Sequence, residues 1–185
     1  MEGHIRAVRI RYVGEIVRLE LAPLTIAFIK GLLTPALQES VNYVNAAVIA
    51  KERGIKVIES KATEAEDFAN LIVTTVETDR KTTQVDGTLF TRSDPRIVRI
   101  NDFHVDAVPS GAMLVVRNLD RPGMIGRIGA TLGNRGINIS WMTFGRHTQG
   151  GDAITVLNLD QSPSPQILAE VKRLPDVLDA TLVRL

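Results

Sequence analysis

The sequence predicts an α+β chain of two domains, the second of which has its elements in the order βαββαβ. Three observations lead to this prediction. The hydrophobic period changes from helical spacing to alternation near Leu71, Pro109-Ser110-Gly111 breaks the pattern, and a compact series of apolar strands and amphipathic helices follows the break. A chain of 185 residues is long enough for two small domains that each bury a core.

The first half is predicted to contain one strand, two helices and then an antiparallel meander. Apolar residues alternate with arginines over Val8–Val13, which is typical of a strand with one solvent-facing side. Helical spacing follows over Leu24–Leu33 and again over Val41–Ile49. From Leu71 to Ile100, short apolar runs are separated by turn residues, and this pattern predicts paired antiparallel strands.

The break at 109–111 is the predicted boundary between domains of residues 1–108 and 111–185. Beyond it the pattern predicts strands and helices in this order: strand Met113–Leu119, helix Met124–Arg135, strands Ile137–Phe144 and Ala153–Leu159, helix Ser164–Leu174, strand Val177–Val183. This succession is the split βαβ, or ferredoxin-like, arrangement.

One face of the predicted four-stranded sheet lacks a covering layer, because both helices pack on the other face. We expect Trp141 and Phe144 to lie on this open face. An exposed apolar sheet face usually packs against something, and a second copy of the chain is the simplest occupant. The sequence therefore predicts a homo-oligomer that pairs through these sheets.

Composition excludes several classes of function. The formal net charge of +1 gives no reason to expect nucleic-acid or membrane binding, and the absence of cysteine excludes disulfides and thiolate metal sites. No apolar run resembles a signal segment or is long enough to span a bilayer, so a cytoplasmic location is expected. The histidines at positions 4, 104 and 147 are isolated, and we predict no catalytic group and no metal site.

The βαββαβ order also occurs in RNA-recognition domains. Those domains need aromatic side chains at set positions of the central strands and a basic surface. This chain has one Trp, two Tyr and five Phe, and Arg146 is the main cation near Trp141 and Phe144. Packing in a core or a dimer is the better interpretation of these aromatics.

The stretch from Asn118 to Ile139 contains the most specific pattern in the chain. An apolar strand runs into Pro122-Gly123, which opens an amphipathic helix with free N–H groups at its first turn. With the helix dipole, these groups favour a carboxylate, while Asp120 could pair with an ammonium group. Asn118 and Asn138 add donors and acceptors. The pattern fits a pocket for an α-amino acid.

A simpler interpretation of the same residues stays open at this point, with Asp120 as an ordinary helix cap and Pro122-Gly123 as an ordinary turn. Gly126, Gly129 and Gly133 lie on one helix face, and we expect them to allow close packing on the sheet. They do not form a dinucleotide-binding G-x-G-x-x-G loop.

Residues 118–139 resemble the signature of ACT domains, small βαββαβ modules that bind amino acids, and the resemblance extends over 112–185. In that family the corresponding positions line an effector site between two paired domains. The resemblance implies these effector-binding residues: Asn118, Asp120, Gly123, Met124, Ile125 and Asn138. Asn118 stands where related enzymes have histidine or tyrosine, and it keeps hydrogen-bonding ability.

The first half resembles the intervening domain of long-type D-3-phosphoglycerate dehydrogenases, also called the allosteric substrate-binding domain. The motifs that carry this resemblance are Val44-Asn45-Ala46, Ala50 to Ile55, Gly87 to Phe90, Pro95 to Val98 and Val105-Asp106. In those enzymes this domain precedes the ACT domain. The family binds an anion at a basic site here, and the candidates in the matched motifs are Arg96 first, then Lys51, Arg53 and Arg99.

The resemblance implies the regulatory part of a serine-biosynthetic enzyme, with L-serine as the feedback effector that ties two ACT domains together. The substrate-binding and NAD-binding domains of the family have no counterpart in this sequence, so NAD and hydride transfer are expected to belong to those other domains. An alternative is a regulatory subunit or a free-standing sensor for another amino-acid enzyme, such as a serine dehydratase.

Overall fold

The computed structural model describes residues 3–35, 37, 40–64 and 67–185, which form two compact units, Met1–Leu89 and Phe90–Leu185. The helices are α1 (Ala22–Leu33), α2 (Ala46–Glu52), α3 (Met124–Gly133) and α4 (Pro165–Lys172). The strands are β1 (Ile5–Gly14), β2 (Lys56–Ala62), β3 (Asn70–Thr78), β4 (Thr82–Leu89), β5 (Pro95–Ile100), β6 (Phe103–Ala107), β7 (Ala112–Leu119), β8 (Ile139–Arg146), β9 (Asp152–Leu159) and β10 (Val177–Arg184). Within the described part of the chain, no helix combines the length and apolar character needed to cross a membrane.

The strands of the first unit are ordered β2-β1-β3-β4. β1 pairs with β3 antiparallel and with β2 parallel, and α1 and α2 lie between β1 and β2 in the chain. The apolar residues of β1 pack with those of both helices into one core, which includes Val8, Ile29 and Ile49. The predicted succession of a strand, two helices and an antiparallel meander is confirmed. β2 was not predicted, because charged residues at 56, 59 and 61 obscure its alternation.

The second helix starts later than its apolar spacing predicts. Residues 41–45 form a turn in which the side-chain Oδ1 of Asn42 accepts hydrogen bonds from the amides of Val44 and Asn45, at 2.8 and 3.0 Å. Such local side-chain bonds compete with helical pairing, so α2 begins only at Ala46. Val44, which was assigned to the helix, is 89% exposed.

The second unit contains the predicted ferredoxin-like sheet, with strands in the order β10-β7-β9-β8. β7 is antiparallel to both β10 and β9, and β8 is antiparallel to β9, so β7 and β8 run in the same direction. α3 and α4 cover one face and form a core with the strands through Leu114, Ile128 and Val171, among others. The carboxyl ends of β7 and β8 therefore lie at the same edge of the sheet.

The opposite face is covered by the hairpin of β5 and β6 from the same chain. Phe103, Val105 and Ala107 pack against Met113, Ile154 and Val156 of the sheet. The expectation of an open face is thus wrong over this area, because the segment before the predicted break folds back onto it.

Trp141 and Phe144 do not share a face either. Past the irregular pairing between Ile139 and Trp141, the strand alternates, and residues separated by three positions point in opposite directions. The Trp141 indole Nε1 donates to the carbonyl of Asp106 in β6 at 3.2 Å, whereas Phe144 lines a pocket at the start of α3. The expectation that both aromatics lie on one open face is therefore wrong.

Candidate functional site

A pocket of about 520 Å³ opens where β7 ends and α3 begins. Residues 120–126, between the strand and the first helical turn, form one wall. Phe144 and Arg146 of β8 and Gln149 and Gly150 of the following turn form the other. The pocket lies at the end of the sheet that contains the carboxyl ends of β7 and β8, which run in the same direction.

The start of α3 is open to a negatively charged group. Gly123 is the N-cap and has φ of 82°, a left-handed conformation that glycine adopts at little steric cost. No side chain caps this helix, and its first turn contains no acidic residue. Asp120 is therefore not the ordinary cap considered above. The amide of Met124 already donates to the Arg121 carbonyl at 3.2 Å. The other first-turn amides and the helix dipole favour a carboxylate here.

Asp120 is held by two donors from the opposite wall. Its Oδ2 accepts a hydrogen bond from Arg146 Nη1 at 2.6 Å and another from the amide of Gly150 at 3.1 Å. The Gly150 amide and then the Arg146 guanidinium lower the pKa of Asp120 below its ordinary value of 3.8, so the group is ionised at neutral pH. The Asp120 side chain is 18% exposed. The pocket thus presents a fixed carboxylate beside an uncapped helix start.

The structure brings only some of the predicted effector residues together. Asp120, Gly123, Met124 and Ile125 line the pocket. Asn118 does not: it is fully buried, its Oδ1 accepts from the Thr155 hydroxyl at 3.2 Å and its Nδ2 donates to the Leu119 carbonyl at 2.9 Å. These two bonds hold the buried Asn118 side chain beside the end of β7. Its predicted contact with the effector stays a prediction.

Asn138 lies at the other end of the sheet. It precedes β8, its Nδ2 donates to Asp160 Oδ2 at 2.7 Å, and its carbonyl accepts from the Asp160 amide. Arg146, at the pocket, is the last of the 8 residues of β8, and Asn138 precedes the first. At about 3.3 Å per residue, that strand is about 23 Å long. One copy of the chain therefore cannot place Asn138 and Asp120 on the same small ligand.

Sequence reasoning missed Arg146 and Gly150 as partners of Asp120. The ferredoxin-like strand order contains the signal, because it makes β7 and β8 parallel and brings their ends together. Arg146 pairs with Ala153, which in turn pairs with Asn118. Once the strand order is assumed, a basic residue at the end of β8 falls beside the turn that contains Asp120.

Among the basic residues proposed for the anion site, Arg96 already has two acidic partners. It forms ion pairs with Asp94 and, at 2.9 Å from its Nε, with Asp106. Its guanidinium also lies 5.4 Å from the ring centre of Phe90, and its side chain is only 14% exposed. An incoming anion would have to compete with both carboxylates.

The other three candidates lie on different elements. Lys51, in the last turn of α2, lines a cleft of about 360 Å³ that also contains Thr25 and Glu59. Arg53 is the C-cap of α2 and lines another cleft, and Arg99 lies opposite His104 in the β5–β6 pairing. Cations at a helix end complement the helix dipole. A role in anion binding stays a prediction for all four basic residues.

Both parts of the chain match known families. Residues 1–101, more than half of the chain, match the family described as the D-3-phosphoglycerate dehydrogenase intervening domain. Residues 112–176 match the ACT domain. These matches confirm the two resemblances inferred from the motifs, and they confirm them in the same order along the chain.

Several similar proteins are each named D-3-phosphoglycerate dehydrogenase. The protein of Methanocaldococcus jannaschii is 36% identical over 185 residues, which are 100% of this chain and 35% of that protein. The Bacillus subtilis protein is 37% identical over the same shares of the two chains. The Synechocystis protein is 39% identical over 163 residues, 88% of this chain and 29% of its own length. The chain thus spans about a third of the length of these relatives.

Proposed function

Because the chain belongs to the family of D-3-phosphoglycerate dehydrogenase intervening domains, followed here by an ACT domain, we propose that it senses the end product of such an enzyme. The proposed ligand is an α-amino acid, L-serine, which acts as a feedback effector in serine biosynthesis. The domain composition supports a regulatory role.

The pairing of Asp120 with the uncapped start of α3 is the observation that carries this proposal. An α-amino acid has an ammonium and a carboxylate on one carbon, so it needs an anionic group and an anion-binding group at short range. Asp120 is ionised and lines the same pocket as the first turn of α3. The ammonium would bind the Asp120 carboxylate, and the ligand's carboxylate would bind the helix amides.

The proposed site is completed by a second copy of the chain. Asn138 is too far from Asp120 within one copy to contact the same ligand, so its predicted role requires the Asn138 of another copy. β8 is an outer strand of the four-stranded sheet and carries the exposed Trp141 and Met142. Pairing of two copies near their β8 strands would bring the Asn138 of one copy toward the pocket of the other. Effector binding would then stabilise the pair.

In this proposal, hydride transfer belongs to separate catalytic domains that bind NAD and 3-phosphoglycerate. Effector binding to this chain regulates those domains. The chain incubated with 3-phosphoglycerate and NAD is expected to give no reduction of the cofactor. Measurable turnover would contradict this division of labour.

Calorimetric titration with L-serine tests the binding proposal. The parent chain is expected to release or absorb heat on binding, and ligand at a hundred times its dissociation constant should stabilise it by about 2.7 kcal/mol. Asp120→Asn should abolish the signal because the ammonium loses its counter-ion. Asp152→Asn is the matched control, since Asp152 is also paired with an arginine, Arg117 at 3.2 Å, but does not line the pocket. Absence of heat and of a thermal shift for the parent at millimolar L-serine would contradict the proposal.

A further inference from the structure

We propose that Arg146 is a specificity-determining residue of the amino-acid pocket. Its guanidinium holds Asp120 in place and also binds the carboxylate of the ligand. This inference rests on the proposed function, and it assigns a contact to a residue outside the sequence pattern that predicted the pocket. It follows from the way the bonds of Asp120 and Arg146 are distributed over their atoms.

Both bonds to Asp120 end on a single carboxylate oxygen. Arg146 Nη1 and the Gly150 amide bind Oδ2, at 2.6 and 3.1 Å. Within the described part of the chain, no hydrogen bond ends on Oδ1. The arrangement fixes the carboxylate through one oxygen and leaves the other for an ammonium group. Binding of the ligand therefore does not require the Asp120–Arg146 pair to break.

Arg146 has donors left over after this bond. A guanidinium carries five N–H groups in a planar fork, and in the described structure only Nη1 of Arg146 has a bond, to Asp120. The side chain lines the pocket and is 48% exposed. A carboxylate held at the start of α3 would lie between the helix amides on one wall and this guanidinium on the other. Charge-assisted contacts of this kind are among the strong ones.

The backbone of β8 holds Arg146 against the pocket. Gly145, its neighbour, is buried and faces the opposite way, toward β6. A Cβ atom at Gly145 would lie 2.3 Å from the backbone oxygen of His104. This close approach fixes the end of β8, so the alternating side chains of Phe144 and Arg146 are directed to the pocket side.

Two ligands that differ in one group test the assignment. L-serine has a carboxylate, whereas L-serinamide keeps the ammonium and hydroxyl but has a neutral amide in its place. Titration of the parent chain is expected to show clear preference for L-serine. In Arg146→Gln, the affinity for L-serine should fall about ten- to hundredfold, the usual loss for a hydrogen bond between charged groups. The affinity for L-serinamide should fall about threefold or less, and Arg146→Lys should recover part of the loss.

Arg117→Gln is the matched control. Arg117 is paired with Asp152 and is 49% exposed, close to the 48% of Arg146, but it does not line the pocket. Its substitution is expected to leave both affinities unchanged. An NMR titration without ligand gives a second readout, in which Arg146→Gln should raise the pKa of Asp120 toward its ordinary value.

The outcomes separate this inference from the proposed function. If the parent binds L-serine and Arg146→Gln binds both ligands as the parent does, the inference fails and the proposed function stands. An equal loss for both ligands would also overturn it, since Arg146 would then act only through Asp120. If the parent binds neither ligand, the proposed function fails and the inference fails with it.

Discussion

Asp120 owes its lowered pKa to two donors that are far away in the sequence. The Gly150 amide and the Arg146 guanidinium lie 30 and 26 positions along the chain, and both reach Oδ2 across the sheet edge. The position of Asp120 beside the start of α3 could be predicted from the Pro-Gly turn and the ACT resemblance, because both are local patterns. Its two donors could not be predicted in the same way, since their contact depends on strand pairing.

The lowered pKa makes the contribution of Asp120 to stability depend on pH. A carboxyl group with a lower pKa in the folded than in the unfolded chain stabilises the fold above its ordinary pKa, here 3.8. This contribution is lost as the pH falls through the lowered value. Urea unfolding at a series of pH values should therefore show the parent more stable than Asp120→Asn at neutral pH. The difference should shrink in the acid range below 3.8.

A difference in unfolding free energy that stays constant down to low pH would contradict this interpretation. It would show that the asparagine packs poorly at this position, whatever the charge of the parent residue.

Strand β8 has different tasks on its two faces. One face presents Phe144 and Arg146 to the pocket, and the other presents Trp141, Thr143 and Gly145 to the β5–β6 hairpin. The hydroxyl of Thr143 accepts from the amide of Asp106 at 3.1 Å, and Trp141 donates to the Asp106 carbonyl. Helices with regular apolar spacing were predictable from sequence. The partner of each strand face was not, because alternation gives two faces but does not name what covers them.

Gly145→Ala tests the close contact between β8 and β6. The added methyl group would lie 2.3 Å from the His104 carbonyl oxygen, so one of the two strands must shift. Overpacking of this kind costs about 1–3 kcal/mol. Urea unfolding of the variant should show a loss of stability in that range.

Gly129→Ala is the matched control on α3. The close packing expected for the glycines of this helix is wrong, since a Cβ at Gly126, Gly129 or Gly133 would meet nothing within 4 Å. Alanine at 129 should stabilise the chain by about 0.4–1 kcal/mol, because it lowers the entropy of the unfolded state. If both substitutions have the same effect, the close approach at Gly145 does not matter for stability.

At the scale of the whole chain, the fold class was predictable because each half carries an independent signal. The change of period near Leu71 separates helices from meander, and the βαββαβ order is regular enough to identify the second sheet. The parallel strand β2 was missed, since charged residues interrupt the alternation of its sequence KVIESKA, and none of its residues is fully buried. The return of the β5–β6 hairpin onto the second sheet is a long-range contact that no local pattern indicates.

The proposed two-copy site makes a prediction that a single-copy site cannot satisfy. Asp120→Asn and Asn138→Ala should each abolish L-serine binding. When the two variants are unfolded, mixed in equal amounts and refolded, each mixed dimer regains one intact site, built from the unchanged residue of each copy. Random pairing makes about a quarter of all sites intact. Calorimetry of the mixture should recover binding with that stoichiometry.

The two variants refolded separately and then combined provide the control. They should show no binding as long as the dimers do not exchange copies. A refolded mixture that still fails to bind would contradict a site shared between copies.

The hairpin of β5 and β6 also has a practical consequence for work on the second unit. Phe103, Val105 and Ala107 shield Met113, Ile154 and Val156 from water. A fragment that starts at the 109–111 break would lack this cover and would carry a bare apolar sheet face into solution. It would self-associate through that face and give a false sign of effector-driven pairing. A fragment that starts at Phe90 keeps the hairpin and therefore keeps this cover.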